Sequence, residues 1–335
     1  MLNKNRSIRT GSVIAVVASL LILAVAGWLV TNRQFAFDQV RVWQYQPTSS
    51  VATISERAGL SDKGEFYFYA SHPEVSNKAD FNSQCQRKEA NSAILGCYDG
   101  NRIYIFDVSN AQLDGVKEVT AAHEMLHVVW ERMSQAEQQR VGALLDVEYA
   151  KIDDPALIER MAYYDRNEPG EHHNELHSII ATEVSTISGD LETYYGQFFK
   201  NRQKVVTLHG QYEAIFNGLK TQQVNLLSTI NSLTTELSTL IPQYNSDAAN
   251  LQRDDQALKN QASSVDRSDA AQVNAYNTQI RILQTQVAQL ATLRDTIESK
   301  LATYNNAVAT YNTLVVSTNQ LTQSLDSTLM VSPSL

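Results

Sequence analysis

The stretch Val119-Thr120-Ala121-Ala122-His123-Glu124-Met125-Leu126-His127-Val128-Val129 decides how this chain is read. Two histidines stand four residues apart, and a glutamate directly follows the first. Their neighbours are apolar or small, so the pattern predicts a buried helix over residues 116–133. On a helix, positions four apart share one face and lie about one turn from each other. Two imidazoles so placed can hold one zinc ion, each at about 2.0–2.1 Å. Burying two imidazoles and a carboxylate among apolar neighbours without a partner is costly, which favours a metal over a chance pattern. Glu124 is the expected general base, taking the proton of a zinc-activated water.

A catalytic zinc site uses a third protein ligand and keeps its fourth position open. Candidates lie in His172-His173-Asn174-Glu175-Leu176-His177-Ser178-Ile179-Ile180-Ala181-Thr182-Glu183, which also reads as a helix. Leu176, Ile180, Val184, Ile187 and Leu191 define its apolar face. Glu183 falls within that face, where a buried carboxylate needs a partner. Glu175 aligns instead with Ser178, Thr182 and Thr186, a stripe of small residues that lets this helix approach the histidine helix closely. The residue pattern leaves both glutamates open, with His177 and His173 as further candidates. The glutamate that is not a ligand would accept a hydrogen bond from His123 or His127. The His172-His173 pair otherwise reads as a solvated loop, and His72 and His209 as isolated structural or surface residues. Tyr163, Tyr164, Tyr194, Tyr195 and His177 are candidate oxyanion donors, none preferred.

A His-Glu-x-x-His pattern followed some tens of residues later by a helix-borne glutamate resembles the gluzincin branch of zinc metallopeptidases. In that branch the third ligand often reads as Glu with a small residue three positions on, frequently after Asn. Asn174-Glu175-Leu176-His177-Ser178 fits this, whereas Glu183 followed by Thr186 fits less well. The resemblance covers residues 66–199. It implies an α+β zincin-like domain with Glu175 as third ligand and Glu183 as the alternative. It also implies an edge strand ahead of the histidine helix, at residues 101–108, along which extended substrate backbone is held. Two departures stand out: Ile179 occupies a position that is often acidic, and no His-x-x-Gly-x-x-His continuation of the metzincin kind follows His127.

Residues 13–30 carry no charge, close to the about 20 residues that cross a hydrocarbon core. Lys4, Arg6 and Arg9 precede them, which predicts a cytoplasmic segment 1–11, a transmembrane helix 12–31 and an extracytoplasmic remainder. Secretion after cleavage near Ala24-Val25-Ala26 is the alternative, although the apolar run outlasts a signal core of about 7–15 residues. Either route exports the chain, so Cys85 and Cys97 are expected to pair as a disulfide.

Elsewhere the spacing predicts a helix over 48–60, a turn at 61–64, strands over 65–70 and 101–108, and helices over 134–152 and from 155. Together these make residues 32–189 the expected catalytic domain, mostly helical with a small sheet. From residue 190 the pattern is helical almost throughout. Leu219, Leu226, Ile230, Leu233, Leu237, Leu240 and Tyr244 form one seam. Tyr276, Ile280, Leu283, Val287, Leu290, Ile297, Leu301, Tyr304, Val308, Tyr311 and Val315 form another. Both keep a heptad register. With the polar turn at 263–269 they predict an antiparallel coiled-coil hairpin over 190–328, with an arm about 105 Å long, and a tail at 329–335. Such an arm serves as a spacer, a partner-binding element or a means of self-association. Lys200, Arg202 and Lys204 read as a solvated basic face.

A net charge of −9 argues against a nucleic-acid partner. The expectation is therefore a membrane-anchored, extracytoplasmic zinc endopeptidase acting on peptides or proteins. The alternative is a membrane-tethered coiled-coil scaffold or interaction protein with a structural or latent zinc site.

Overall fold

The structure is a computed structural model that describes residues 4–85 and 94–325. The chain is mostly helical with a small mixed sheet, and its described residues divide into two compact units, one running to Ile215 and taking in 323–325, the other comprising Phe216–Thr322. The expected tail at 329–335 lies outside the described residues.

The first unit opens with α1 (Lys4–Thr31), whose Val13–Thr31 portion is long and apolar enough to cross a membrane and buries nothing inside the protein. Only Asn32 separates it from α2 (Arg33–Gln44). The buried Asp38 of α2 receives Arg132 at 3.2 Å. α3 (Ser49–Ala58) and α4 (Asp62–Ala70) follow, then β1 (Glu74–Ser76), α5 (Lys78–Gln84), β2 (Gly96–Tyr98) and β3 (Ile103–Phe106).

The aromatic run at 65–70, expected as a strand, is the body of α4. What reads as a turn at 61–64 is that helix's cap and first turn. The Ser61 side chain accepts from the Gly64 backbone N–H, and Asp62 and Glu65 sit in the positive first turn. Gly64 is required there because a Cβ would stand 2.2 Å from the Phe198 carbonyl oxygen. Leu60 and Phe68, both buried, anchor the two ends. Capping and packing thus override an aromatic-rich composition that suggests a strand.

The sheet has the order β1-β3-β2, with β1 parallel to β3 and β2 antiparallel to it. Ile103 and Ile105 point into the core, as the alternation over 101–108 predicts. The strand formed there is, however, the central one. The edge that meets the histidine helix is β2, a three-residue strand that composition did not reveal. Cys97 of β2 is joined to Cys85 at the end of α5 by a disulfide.

The histidine helix is α6 (Val116–Arg132). It enters through Gly115 at φ 94°, where a Cβ would also meet Leu208 at 2.8 Å. It is buried on most sides, packing against α3, α4, both later strands and α9. α7 (Gln135–Tyr149) begins with a capping box between Ser134 and Glu137, and α8 (Pro155–Asn167) with Asp154 as cap and Pro155 in the first turn. α9 (His172–Glu183) lies against α6, α7 and α8.

The helical pattern beyond α9 is broken. α10 (Gly189–Tyr195) is a separate short helix whose Leu191, Tyr194 and Tyr195 belong to the core of the first unit, with Phe198, Phe199, Val205 and Val206. The boundary expected at 189/190 therefore falls inside that unit. Arg202 is a second correction. Instead of facing solvent it is 4% exposed, and its guanidinium donates to the carbonyls of Ala181, Val184 and Ser185 at the end of α9 while pairing with Glu192. A buried cation thus caps the C-terminus of the helix that carries Glu175.

The second unit consists of the greater part of α11 (Gln203–Gln261) and α12 (Ala270–Leu325). The two run antiparallel: Gln223 bonds Thr318 at 3.0 Å, Glu236 pairs with Lys300, and Gln286 bonds Asp254 at 3.4 Å. Ile230, Leu233, Leu237, Ile297, Ala307 and Val315 are buried between them.

Candidate metal centre

α6 and α9 bring three donors together. One ligand atom each from His123, His127 and Glu175 lies within 4.8 Å of the other two. Nε2 of His123 stands 3.6 Å from Oε2 of Glu175, and Nε2 of His127 stands 3.8 Å from Oε1 of the same carboxylate. Tetrahedral donors around a zinc ion lie about 3.3 Å apart for bonds of about 2.0–2.1 Å. The two imidazole-to-carboxylate distances thus exceed that separation by only a few tenths of an ångström. The rings cross at 78° with centroids 4.8 Å apart.

Neighbouring groups fix the rings. Nδ1 of His127 is 2.9 Å from Oδ1 of Asn174, whose amide N–H donates to Glu171. That orientation makes Oδ1 the acceptor, places the His127 proton on Nδ1 and leaves Nε2 free to ligate. Ser178 approaches Nε2 of His123 at 3.2 Å. Ser178 and Thr182 are fully buried, so the small-residue stripe does let α9 close on α6. Thr186, expected to continue the stripe, lies beyond the end of the helix.

The local field favours a cation. Burial lowers the affinity of the His123 imidazole for a proton, but Glu175 and Glu124 outweigh it and hold its pKa above the ordinary value. Glu124 is 7% exposed and its carboxyl is pushed upward by burial, partly offset by His127 and His123. The Tyr98 backbone N–H in β2 binds this carboxylate. Gly96, also in β2, lies so close that a Cβ would stand 2.8 Å from Glu124 Cγ and 2.5 Å from Thr120 Cγ2.

Of the two glutamates, Glu183 is not a member of this donor group. It pairs with Arg160 of α8, and His209 lies 3.6 Å away. Its partner is thus a guanidinium, although Glu183 lines the same cavity as the two histidines. His177 is also not in the donor group. It is buried behind α6 between Trp130, Tyr194 and Tyr195, bonded to the Tyr194 hydroxyl at 2.9 Å, and burial followed by His127 lowers its pKa to about 3. Of the candidate oxyanion donors, Tyr194 and Tyr195 are core residues; only Tyr164 lines the cavity in front of the histidines.

That cavity has a volume of about 860 Å³ and is bounded on one side by β2 and on others by α8, α9 and Tyr212 of α11. Arg160 and Tyr212 are lining residues that sequence reading did not single out. They come from helices 37 and 89 positions beyond His123, and no spacing rule links them to the motif.

Two imidazoles and one carboxylate so grouped could hold a metal ion, beside a cavity that His123, His127 and Glu175 also line. No known protein family, curated protein or solved structure matches the chain.

Proposed function

We propose that this chain is a membrane-anchored zinc-dependent endopeptidase of the gluzincin kind, with a zincin-like domain outside the membrane and a coiled-coil arm formed by α11 and α12. The observation that carries this reading is the meeting of His123, His127 and Glu175 beside the buried Glu124, at a cavity edged by a strand. Three protein donors, not four, meet there among the described residues. That supports a catalytic rather than a structural role.

When bound, the ion supplies a Lewis acid that polarises a carbonyl and acidifies water. His123 and His127 present Nε2 to it, and Glu175 its carboxylate. Asn174 keeps His127 in the ligating tautomer. Glu124 accepts the proton of the attacking water and returns it to the leaving amine. β2, with one edge paired to β3, offers its other edge to an extended peptide, and Tyr98 in that strand holds the Glu124 carboxylate in place.

Glu124→Gln keeps the shape of the side chain and removes its basicity. Hydrolysis of labelled casein by the detergent-solubilised full chain is expected to fall at least about 10²-fold, the usual contribution of a general base, with zinc content unchanged. A chelator should abolish it and zinc restore it. Equal activity in the variant would refute the mechanism. No activity in the wild type, with zinc firmly bound, would favour a membrane-tethered scaffold with a structural ion.

A further inference from the structure

The start of α9 carries a second group of donors that the proposed reaction does not use. His172 and His173 are its first two residues. A ring nitrogen of each lies with a carboxylate oxygen of Asp146, on α7, within 4.8 Å of one another. Nε2 of His173 is 2.8 Å from Oδ1 of Asp146, and Nδ1 of His172 is 2.6 Å from Oδ1 of Asp165 on α8. Three helices that are separate in sequence thus converge on one point.

We propose that Asp146, His172 and His173 form a second metal site, for a divalent transition ion such as zinc. Two imidazoles and one carboxylate suit such ions; calcium and magnesium prefer oxygen donors throughout. Each ring is already held by a carboxylate. His172 donates Nδ1–H to Asp165, which leaves its Nε2 lone pair available, the carboxylate–histidine–metal arrangement. The ring of His173 lies on Gly142, where a Cβ would stand 3.1 Å from Nδ1 and 3.2 Å from Cε1. Its Nε2 faces Asp146 at 2.8 Å, so an ion bound between them would take the place of that hydrogen bond. The rings are further bracketed by Trp130 against His173 and Tyr149 against His172. Asp146 and Asp165 together balance a divalent charge. Without an ion, pairs this exposed hold little, at most about 1 kcal/mol each.

The consequence is a brace for the first site. His173 directly precedes Asn174 and Glu175, which orient and ligate at the catalytic centre. An ion joining α9 to α7 holds that first turn in place. It is a positioning element and takes no part in the reaction.

The test is metal stoichiometry. The full chain in detergent is stripped with chelator, re-equilibrated with zinc at low micromolar free concentration, and its zinc counted by mass spectrometry. Two ions per chain are expected for the wild type, one for the His172→Gln/His173→Gln double variant and one for His123→Ala. Asp165→Asn should weaken the second ion about 10- to 100-fold, as loss of an orienting carboxylate does. Circular dichroism checks that each variant is folded; the substituted outer residues are partly exposed, so none should unfold. One ion in the wild type, lost with His123→Ala and retained in the double variant, overturns the proposal. So does the absence of any ion. One ion lost in the double variant and kept in His123→Ala sustains this site and refutes the first.

Discussion

Gly96→Ala tests the link between the edge strand and the proposed base. A Cβ at this position would lie 2.5 Å from Thr120 Cγ2, 2.8 Å from Glu124 Cγ and 2.9 Å from Glu124 Oε1. Ordinary contact begins near 3.4 Å. The threonine methyl must therefore retreat by about 0.9 Å and the glutamate side chain by about 0.6 Å, or β2 must move outward. Thr120 is buried and β-branched, so rotation offers it little relief. β2 is held by β3 and by the Cys85–Cys97 bond. Overpacking of this kind costs about 1–3 kcal/mol in stability. A displacement of this size at a proton-transferring group costs about 10- to 100-fold in kcat/KM, given that about 1 Å can cost about 10²-fold. Zinc content should stay at the wild-type value, because the atoms nearest the new methyl belong to Thr120 and Glu124 and not to a donor. Gly189→Ala is the control, since a Cβ there meets nothing within 4 Å. Casein hydrolysis, zinc content and denaturant midpoint would be compared for all three proteins. A Gly96→Ala enzyme with wild-type kcat/KM and midpoint would refute the close packing of β2 on Glu124.

Three further outcomes are expected. Asn174→Ala frees the His127 ring and should weaken zinc about 10- to 100-fold in chelator competition, with little change in the unfolding midpoint; unchanged affinity would show that Asn174 does not set the tautomer. Arg202→Ala leaves the end of α9 and Glu192 without their cation. It should lower stability by about 1–3 kcal/mol, the cost of leaving buried carbonyls without a donor; a guanidinium midpoint equal to wild type would refute its capping role. Replacing both cysteines by serine opens a loop of 12 positions and should cost about 2–4 kcal/mol, seen as a lower midpoint that reductant no longer shifts.

Local pattern carried the elements whose residues answer to their own neighbours. The apolar run at 13–30 marks a span candidate from composition alone. The helix around His123 and His127 follows from a period that any amphipathic wheel reveals, and the pair's shared face follows from four-residue spacing. The two long helices are similarly written in their seams. Four features depended on contacts that no local window contains. Residues 65–70 are aromatic-rich like a strand, yet Ser61 caps them and Phe198 leaves room only for Gly64, so they form a helix. The edge strand is β2, three residues long, because β1 takes the other side of β3; such pairing is a long-range choice. Arg202 resembles a solvated cation until α9 is seen to end against it. The choice between Glu175 and Glu183 has the same origin. Both sit on one helix, eight residues apart, and both are in need of a partner. Packing of α6 on α9 brings the imidazoles to Glu175, and packing of α8 brings Arg160 to Glu183. The sequence alone determined that a carboxylate on this helix could meet the histidine pair; which carboxylate does so was decided by tertiary structure, because an electrostatic partner acts over a few ångströms and only the folded chain sets those distances.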